Sequence, residues 1–159
     1  MNHSFLDNLI ETLEGIVPDV WTTGSQDSMK YKLTEEYWNF PMICFERTND
    51  SSFEVSMDES KFLNDTTHKG LWIAGCNDDN IYFILNLKEY NGSLEIDAIE
   101  VSESMRGEGI GGDVVFAIED AAKGNYDKII VSPFDTEAMN FWEHMGYDES
   151  KCGSFIKEL

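Results

Sequence analysis

Residues 101–112 have the clearest capacity for chemistry in this sequence. Within them stand an arginine and four closely spaced glycines: Arg106, Gly107, Gly109, Gly111 and Gly112. The segment lies between a run typical of a strand and a run typical of an amphipathic helix. Glycines let a backbone approach a ligand closely, and a helix N-terminus offers unpaired N–H groups with a partial positive charge. The pattern therefore predicts a site for a phosphate or a pyrophosphate.

Two phosphate-binding motifs compete for these glycines. Gly107, Gly109 and Gly112 spell G-x-G-x-x-G, which is the dinucleotide fingerprint. That fingerprint sits directly on the end of a first apolar strand, whereas here five residues intervene and several strands have already passed. Only 47 of the 159 residues follow Gly112, too few for the rest of a doubly wound sheet. The dinucleotide interpretation is therefore weak.

The second motif is Val101-x-x-x-x-Arg106-x-x-Gly109-x-Gly111. It resembles the acyl-CoA pyrophosphate loop of the GNAT superfamily of N-acyltransferases. Residues 94–101 before the loop are similar to the strand that precedes it in that family. Residues 135–147 are similar to the family's closing segment, Asn-x-x-Ala-x-x-Phe-Tyr-x-x-x-Gly-Phe. The resemblance covers residues 81–147 in the right order, so we expect a single GNAT-like domain over residues 1–159, with residues 1–70 forming the acceptor side.

The resemblance implies an α/β fold with a mixed, splayed central sheet of about six or seven strands flanked by helices. It further implies that acetyl-CoA is the acyl donor and that an amine is the acceptor. The thioester would lie in a wedge walled by Ile99, Val101, Val131 and Ser132. The cofactor-binding residues carried over are the strand end, the loop and three positions of the closing segment: Ile99, Glu100, Val101, Arg106, Gly107, Glu108, Gly109, Ile110, Gly111, Gly112, Asp135, Phe141 and Trp142.

The family often places a carboxylate on the strand before the loop, where it takes a proton from the amine. Glu95 is our first candidate and Asp97 the second, and strict alternation puts both on one face of the strand with Glu100 on the other. The family's thiolate-protonating tyrosine falls at Trp142, whose indole N–H is too weakly acidic for that task. Tyr147, another hydroxyl or water would then protonate the thiolate, or the chemistry has been lost.

Apolar spacing predicts the elements that hold these residues. Helices are expected over residues 4–17, with Ser4 as N-cap, over 111–123 and over 136–145. Strands are expected over 42–45, 53–57, 71–76, 81–90, 94–101, 129–131 and 154–157. Asn91-Gly92 favours a tight hairpin turn between two of these strands. Residues 19–38 are polar and rich in turn formers, with at most a short helix near residues 34–38.

Charge and composition narrow the function classes. The chain has 31 acidic and 11 basic residues, a formal net charge of −20. Such a surface repels nucleic-acid phosphates and favours a cationic acceptor, or it merely maintains solubility. No metal-ligand spacing and no long apolar run occurs, so we expect neither a metal nor a membrane partner. The three cysteines lack the spacing of a disulfide framework, which fits a cytoplasmic protein.

Other interpretations stay open from the sequence. A catalytically silent relative would hold acyl-CoA or act by contacting a partner, and a homodimer is compatible with either case. A more remote alternative is an acidic decoy that mimics nucleic acid and occupies a basic protein.

Overall fold

The computed structural model describes residues 1–22, 43–47, 53–57, 71–77, 81–102 and 105–159. Within these ranges there are two sheets and three helices: α1 (His3–Glu14), α2 (Ile110–Ala122) and α3 (Thr136–His144). The strands in chain order are β1 (Asp19–Thr22), β2 (Ile43–Arg47), β3 (Phe53–Met57), β4 (Leu71–Cys76), β5 (Ile81–Tyr90), β6 (Ser93–Val101), β7 (Lys128–Val131), β8 (Asp148–Glu149) and β9 (Phe155–Glu158). No helix in the described ranges combines the length and the apolarity needed to cross a membrane.

Seven strands form one sheet in the order β1-β4-β5-β6-β7-β9-β8, and β2 pairs with β3 separately. This confirms the predicted mixed sheet of six or seven strands. The β5–β6 hairpin is also confirmed, since Asn91 and Gly92 take φ values of 48° and 77°. Positive φ at both central positions is the conformation that a tight hairpin turn requires.

Some element boundaries differ from the sequence predictions. Asn2, not Ser4, is the N-cap of α1, and its side chain accepts a hydrogen bond from the Ser4 N–H. Strand β1, of mixed residues, and the polar strand β8 were not predicted, because each is brief and is stabilised by pairing with a neighbouring strand. The helix expected near residues 34–38 lies outside the described residues.

A parallel pair at the centre of the sheet opens towards one end. β6 and β7 pair only at Leu94–Ile129, Glu95–Ile130 and Ile96–Val131. β7 then ends, whereas β6 continues to Val101. The sheet is therefore splayed beyond Ile96, which leaves one edge of the end of β6 without a paired strand among the described residues.

The main core lies between this sheet and the helices. α1 contributes the fully buried Phe5, Leu9 and Leu13, and the inner face of α2 includes Val115 and Ile118. Phe116 of the same helix is 57% exposed, since it lies outside the buried stripe of α2. The core thus fixes the start of α2 against the end of β6, where the glycine loop connects them.

Candidate functional site

An open cavity of about 310 Å³ lies where β6 ends and α3 begins. Eight of the residues predicted to bind a cofactor line it: Ile99, Glu100, Val101, Arg106, Gly111, Asp135, Phe141 and Trp142. The remaining five are not part of the lining: Gly107, Glu108 and Gly109 belong to the loop, and Ile110 and Gly112 belong to the first turn of α2. The structure thus brings together the strand end, the loop and the closing segment, which are separate in the sequence.

The loop has the backbone geometry that a close ligand contact requires. Gly107 and Gly109 have φ values of +84° and +80°, in the left-handed region that favours glycine. Apart from the chain neighbours, no heavy atom of the described residues lies within 4 Å of the position that a Cβ would take at either glycine. Gly109 is the N-cap of α2, and no side chain caps the first N–H groups there. The helix start therefore presents unpaired donors beside open space.

The end of β6 also has main-chain groups suited to binding. The Ser102 N–H donates to the Tyr82 carbonyl of β5 at 2.9 Å. In an antiparallel ladder alternate residues bond to the same neighbour, so Val101 and Ile99 direct their N–H and C=O groups to the other edge. That edge faces the splayed side, where β7 has ended.

A β-bulge lies in the middle of β6. Asn86 of β5 pairs with Ala98, whereas the next residue, Leu87, pairs with Ile96. Asp97 is therefore an additional residue in β6, with no residue of β5 directly opposite it. A bulge reverses the alternation of side chains along a strand and often occurs beside active sites.

The bulge makes the predicted arrangement of the three carboxylates wrong. Glu95 pairs with Lys88 and Glu100 with Ile84, both even-numbered positions of β5. Residues 83, 85 and 87 of β5 belong to the core beneath the helices, so Glu95 and Glu100 lie together on the opposite face. Strict alternation had placed them on different faces.

Neither candidate base lines the cavity. Asp97 forms an ion pair with Lys88 at 3.0 Å between Nζ and Oδ2. Glu95 is half-buried, and within the described ranges no hydrogen bond or ion pair involves its carboxylate. Of the two, Glu95 therefore has the carboxylate that is less committed to a neighbour.

Arg106 connects the loop to the end of β6. Its Nε donates to the Val101 carbonyl at 3.1 Å, and its Nη2 lies 3.4 Å from Oε1 of Glu100. The Arg106 side chain is 51% exposed, whereas that of Glu100 is 6% exposed. The guanidinium thus covers a buried carboxylate at the mouth of the cavity.

Asp135 has a structural role as well as a place in the cavity wall. Its Oδ1 accepts a hydrogen bond of 2.7 Å from the Ala138 N–H and caps α3. Helix N-termini stabilise a negative charge, so the acid at this position is partly compensated. Three lining residues were missed by the sequence analysis, namely Phe134, Glu137 and Ala138. Their proximity to Asp135 in the sequence was the only signal for them.

Trp142 and Tyr147 lie at different depths. Trp142 lines the cavity, and Tyr147 packs edge-on against it with ring centroids 4.9 Å apart. The Tyr147 hydroxyl is buried without a hydrogen-bond partner among the described residues. Burial, followed by the nearby Glu119 charge, raises the pKa of this hydroxyl far above its usual value. The structure does not bring Tyr147 to the cavity wall.

Across the described ranges, no group of three or more histidine, cysteine or acidic side chains is arranged to hold a metal ion.

The fold and the cavity define a class, an α/β protein with a glycine-rich loop at a helix start beside a splayed pair of parallel strands. The model of the acetyltransferase (GNAT) family matches residues 30–147, and the chain belongs to that family. No curated protein gives a significant sequence match.

Two solved structures with this fold are similar to the chain. One is a GNAT family acetyltransferase from Elizabethkingia anophelis with acetyl-CoA bound, with 20% identity and a TM-score of 0.52 over 64% of this chain and 85% of that one. The other is a GNAT family acetyltransferase from Staphylococcus aureus Mu50, with 16% identity and a TM-score of 0.52 over 100% of this chain and 96% of that one. At these identities the likeness establishes the fold.

Proposed function

We propose that this protein transfers the acetyl group of acetyl-CoA to an amine. The observation that carries the proposal is the meeting of a glycine loop, an open strand edge and a cavity at one end of β6. Family membership supports it, as does the similar Elizabethkingia structure that holds acetyl-CoA. We extend the proposal to a single domain over residues 1–159 acting in the cytoplasm.

The residues present fit coenzyme A. The open space at Gly107 and Gly109 would accommodate diphosphate oxygens against the N–H groups of the loop and of the first turn of α2. The main-chain groups of Ile99 and Val101 would pair with the pantetheine amides in the manner of an added strand. This path would bring the thioester into the gap between β6 and β7, next to the bulge at Asp97.

In this proposal Glu95 is the general base. An ammonium acceptor must lose a proton before its nitrogen can attack the thioester carbonyl, and a carboxylate can take that proton directly or through one water. Glu95 is favoured over Asp97 because Lys88 already holds Asp97 in an ion pair. N–H groups on the open edge of β6 would stabilise the negative charge on the carbonyl oxygen.

The leaving thiolate also needs a proton. Trp142 lines the cavity, and in this proposal it would stand in place of the family's tyrosine, but it carries no hydroxyl. The raised pKa and the burial of Tyr147 argue against its giving up a proton, and it lies behind Trp142. We therefore propose that water, entering through the open side of the cavity, protonates the thiolate.

We propose a cationic acceptor, such as a polyamine or a basic peptide. The net charge of −20 attracts cations over long distances and is screened by salt. The KM for a cationic amine should therefore rise between low and high ionic strength. A KM that does not change with salt would leave the acidic surface as a solubility feature only.

Two measurements test the function. Acetyl-CoA at 100 times its Kd should stabilise the protein by about 2.7 kcal/mol, or roughly 5–10 °C in Tm for a chain of this size. Release of free thiol from acetyl-CoA with a panel of amines should then identify the acceptor class. A thermal shift without thiol release would favour the catalytically silent relative, and no shift at millimolar coenzyme A would favour the decoy.

A further inference from the structure

The charged side chains that line the cavity in the described part of the chain are three acids and one base. The acids are Glu100, Asp135 and Glu137, and the base is Arg106. Among the described residues, Arg106 is therefore the one that can offer an anionic ligand in this cavity a full positive charge.

Arg106 is already engaged by the protein itself. Its Nε bonds to the Val101 carbonyl at 3.1 Å, on the strand edge that faces the splayed side of the sheet. Its Nη2 contacts the carboxylate of Glu100, which is almost completely buried. The guanidinium thus donates a hydrogen bond to a carbonyl with which a pantetheine amide would pair. It also contacts an internal carboxylate where it would otherwise contact a phosphate.

We propose that Glu100 sets the affinity of the cavity for phosphate-bearing ligands by competing with them for Arg106. This inference rests on the proposed function, because it concerns the same cavity. On binding, the guanidinium exchanges Val101 and Glu100 for phosphate oxygens, and the Val101 carbonyl becomes accessible to the ligand. The exchange breaks the contact between Glu100 and Arg106, and the free energy needed to break it lowers the observed affinity.

The geometry favours such an exchange. A separation of 3.4 Å is longer than that of most charge-assisted hydrogen bonds, which lie near 2.8 Å. Arg106 is half-exposed on a glycine-rich loop, so its side chain has room to rotate towards the mouth of the cavity. Glu100 lies within a paired strand and cannot follow it.

Calorimetric titration of coenzyme A and of inorganic pyrophosphate into matched variants tests the proposal. E100Q removes the competing charge and should bind coenzyme A on the order of tenfold more tightly, equivalent to about 1.4 kcal/mol. E137Q removes an acid from the same cavity that does not contact Arg106, and it should change the Kd only about twofold. In an R106Q background, the E100Q substitution should lose its advantage and resemble E137Q.

Arginine NMR signals supply a readout that does not depend on affinity. The chain has only two arginines, Arg47 and Arg106, so two Nε–H correlations are expected and R106K assigns them. The Arg106 signal should shift on addition of coenzyme A, and E100Q should shift it in the absence of ligand. A general loss of folding in E100Q would instead reduce the chemical-shift dispersion or broaden signals throughout the spectrum.

The outcomes separate the two proposals. Three results would each overturn the exchange while leaving acetyl-CoA binding intact. They are a gain of affinity in E100Q that persists in the R106Q background, a loss of affinity in E100Q, and ligand binding that does not shift the Arg106 signal. Arg106-dependent tightening for pyrophosphate together with no binding of acetyl-CoA would support the exchange and refute the proposed function. Binding of neither ligand would refute both.

Discussion

Gly109→Ala provides a direct test of the glycine loop. Gly109 has a φ of +80°, so an alanine there adopts a left-handed backbone at a cost of about 1–2 kcal/mol. The new methyl group would contact no protein atom within 4 Å and would instead project into the space assigned to the diphosphate. The protein should therefore fold with a Tm lowered by roughly 2–8 °C, whereas the loss of charge-assisted hydrogen bonds should weaken acetyl-CoA binding by about 10- to 100-fold.

Gly124→Ala is a matched control for this substitution. Gly124 follows the other end of α2, has a φ of +78°, and also has no atom within 4 Å of a built Cβ. The two variants should lose similar stability in thermal unfolding, but only Gly109→Ala should lose affinity in calorimetry. Equal acetyl-CoA affinities in both variants would show that the diphosphate does not bind at this helix start.

Three further predictions concern single side chains. Glu95→Gln should lower kcat by about 10²- to 10⁴-fold with an unchanged Kd for acetyl-CoA, and Asp97→Asn should have a smaller effect; the reverse order would identify Asp97 as the base. Tyr147→Phe should keep kcat within about threefold and raise the free energy of unfolding by up to about 1 kcal/mol, because it removes an unpartnered buried hydroxyl. Above about pH 10 this hydroxyl ionises only in the unfolded wild-type chain. The free energy of unfolding of the wild type should therefore fall faster with rising pH than that of Tyr147→Phe. If the free energies of the two proteins fell in parallel with pH, the raised pKa of Tyr147 would be contradicted. The hydrogen bond with Ser150 lowers the pKa of the exposed Cys152 thiol to about 7, so its alkylation rate should rise with pH around that value, and Ser150→Ala should move the midpoint upwards.

The elements that hold the loop could be predicted because each rests on local physical chemistry. The strands β5 and β6, the Asn91-Gly92 turn and the apolar stripe of α2 depend on nearby residues, and the structure has all of them. Short strands were harder to predict. β1 and β8 consist of polar or mixed residues whose extended form is stabilised by partners far away in the sequence.

The candidate site divides in the same way. Its glycine loop and its closing segment were evident from residue types and spacing, because positive φ and a helix N-terminus impose local requirements. The grouping of carboxylates was not evident, since a two-residue period assumes a regular ladder and the bulge at Asp97 breaks it.

The sequence by itself therefore determined where the glycine-rich turn and its flanking elements occur. Only the tertiary structure decided that Glu95 and Glu100 share a face, that Arg106 contacts Val101 and Glu100, and that Phe134 joins the cavity wall. Those relations arise from strand register and from packing between distant segments, and no local pattern encodes them.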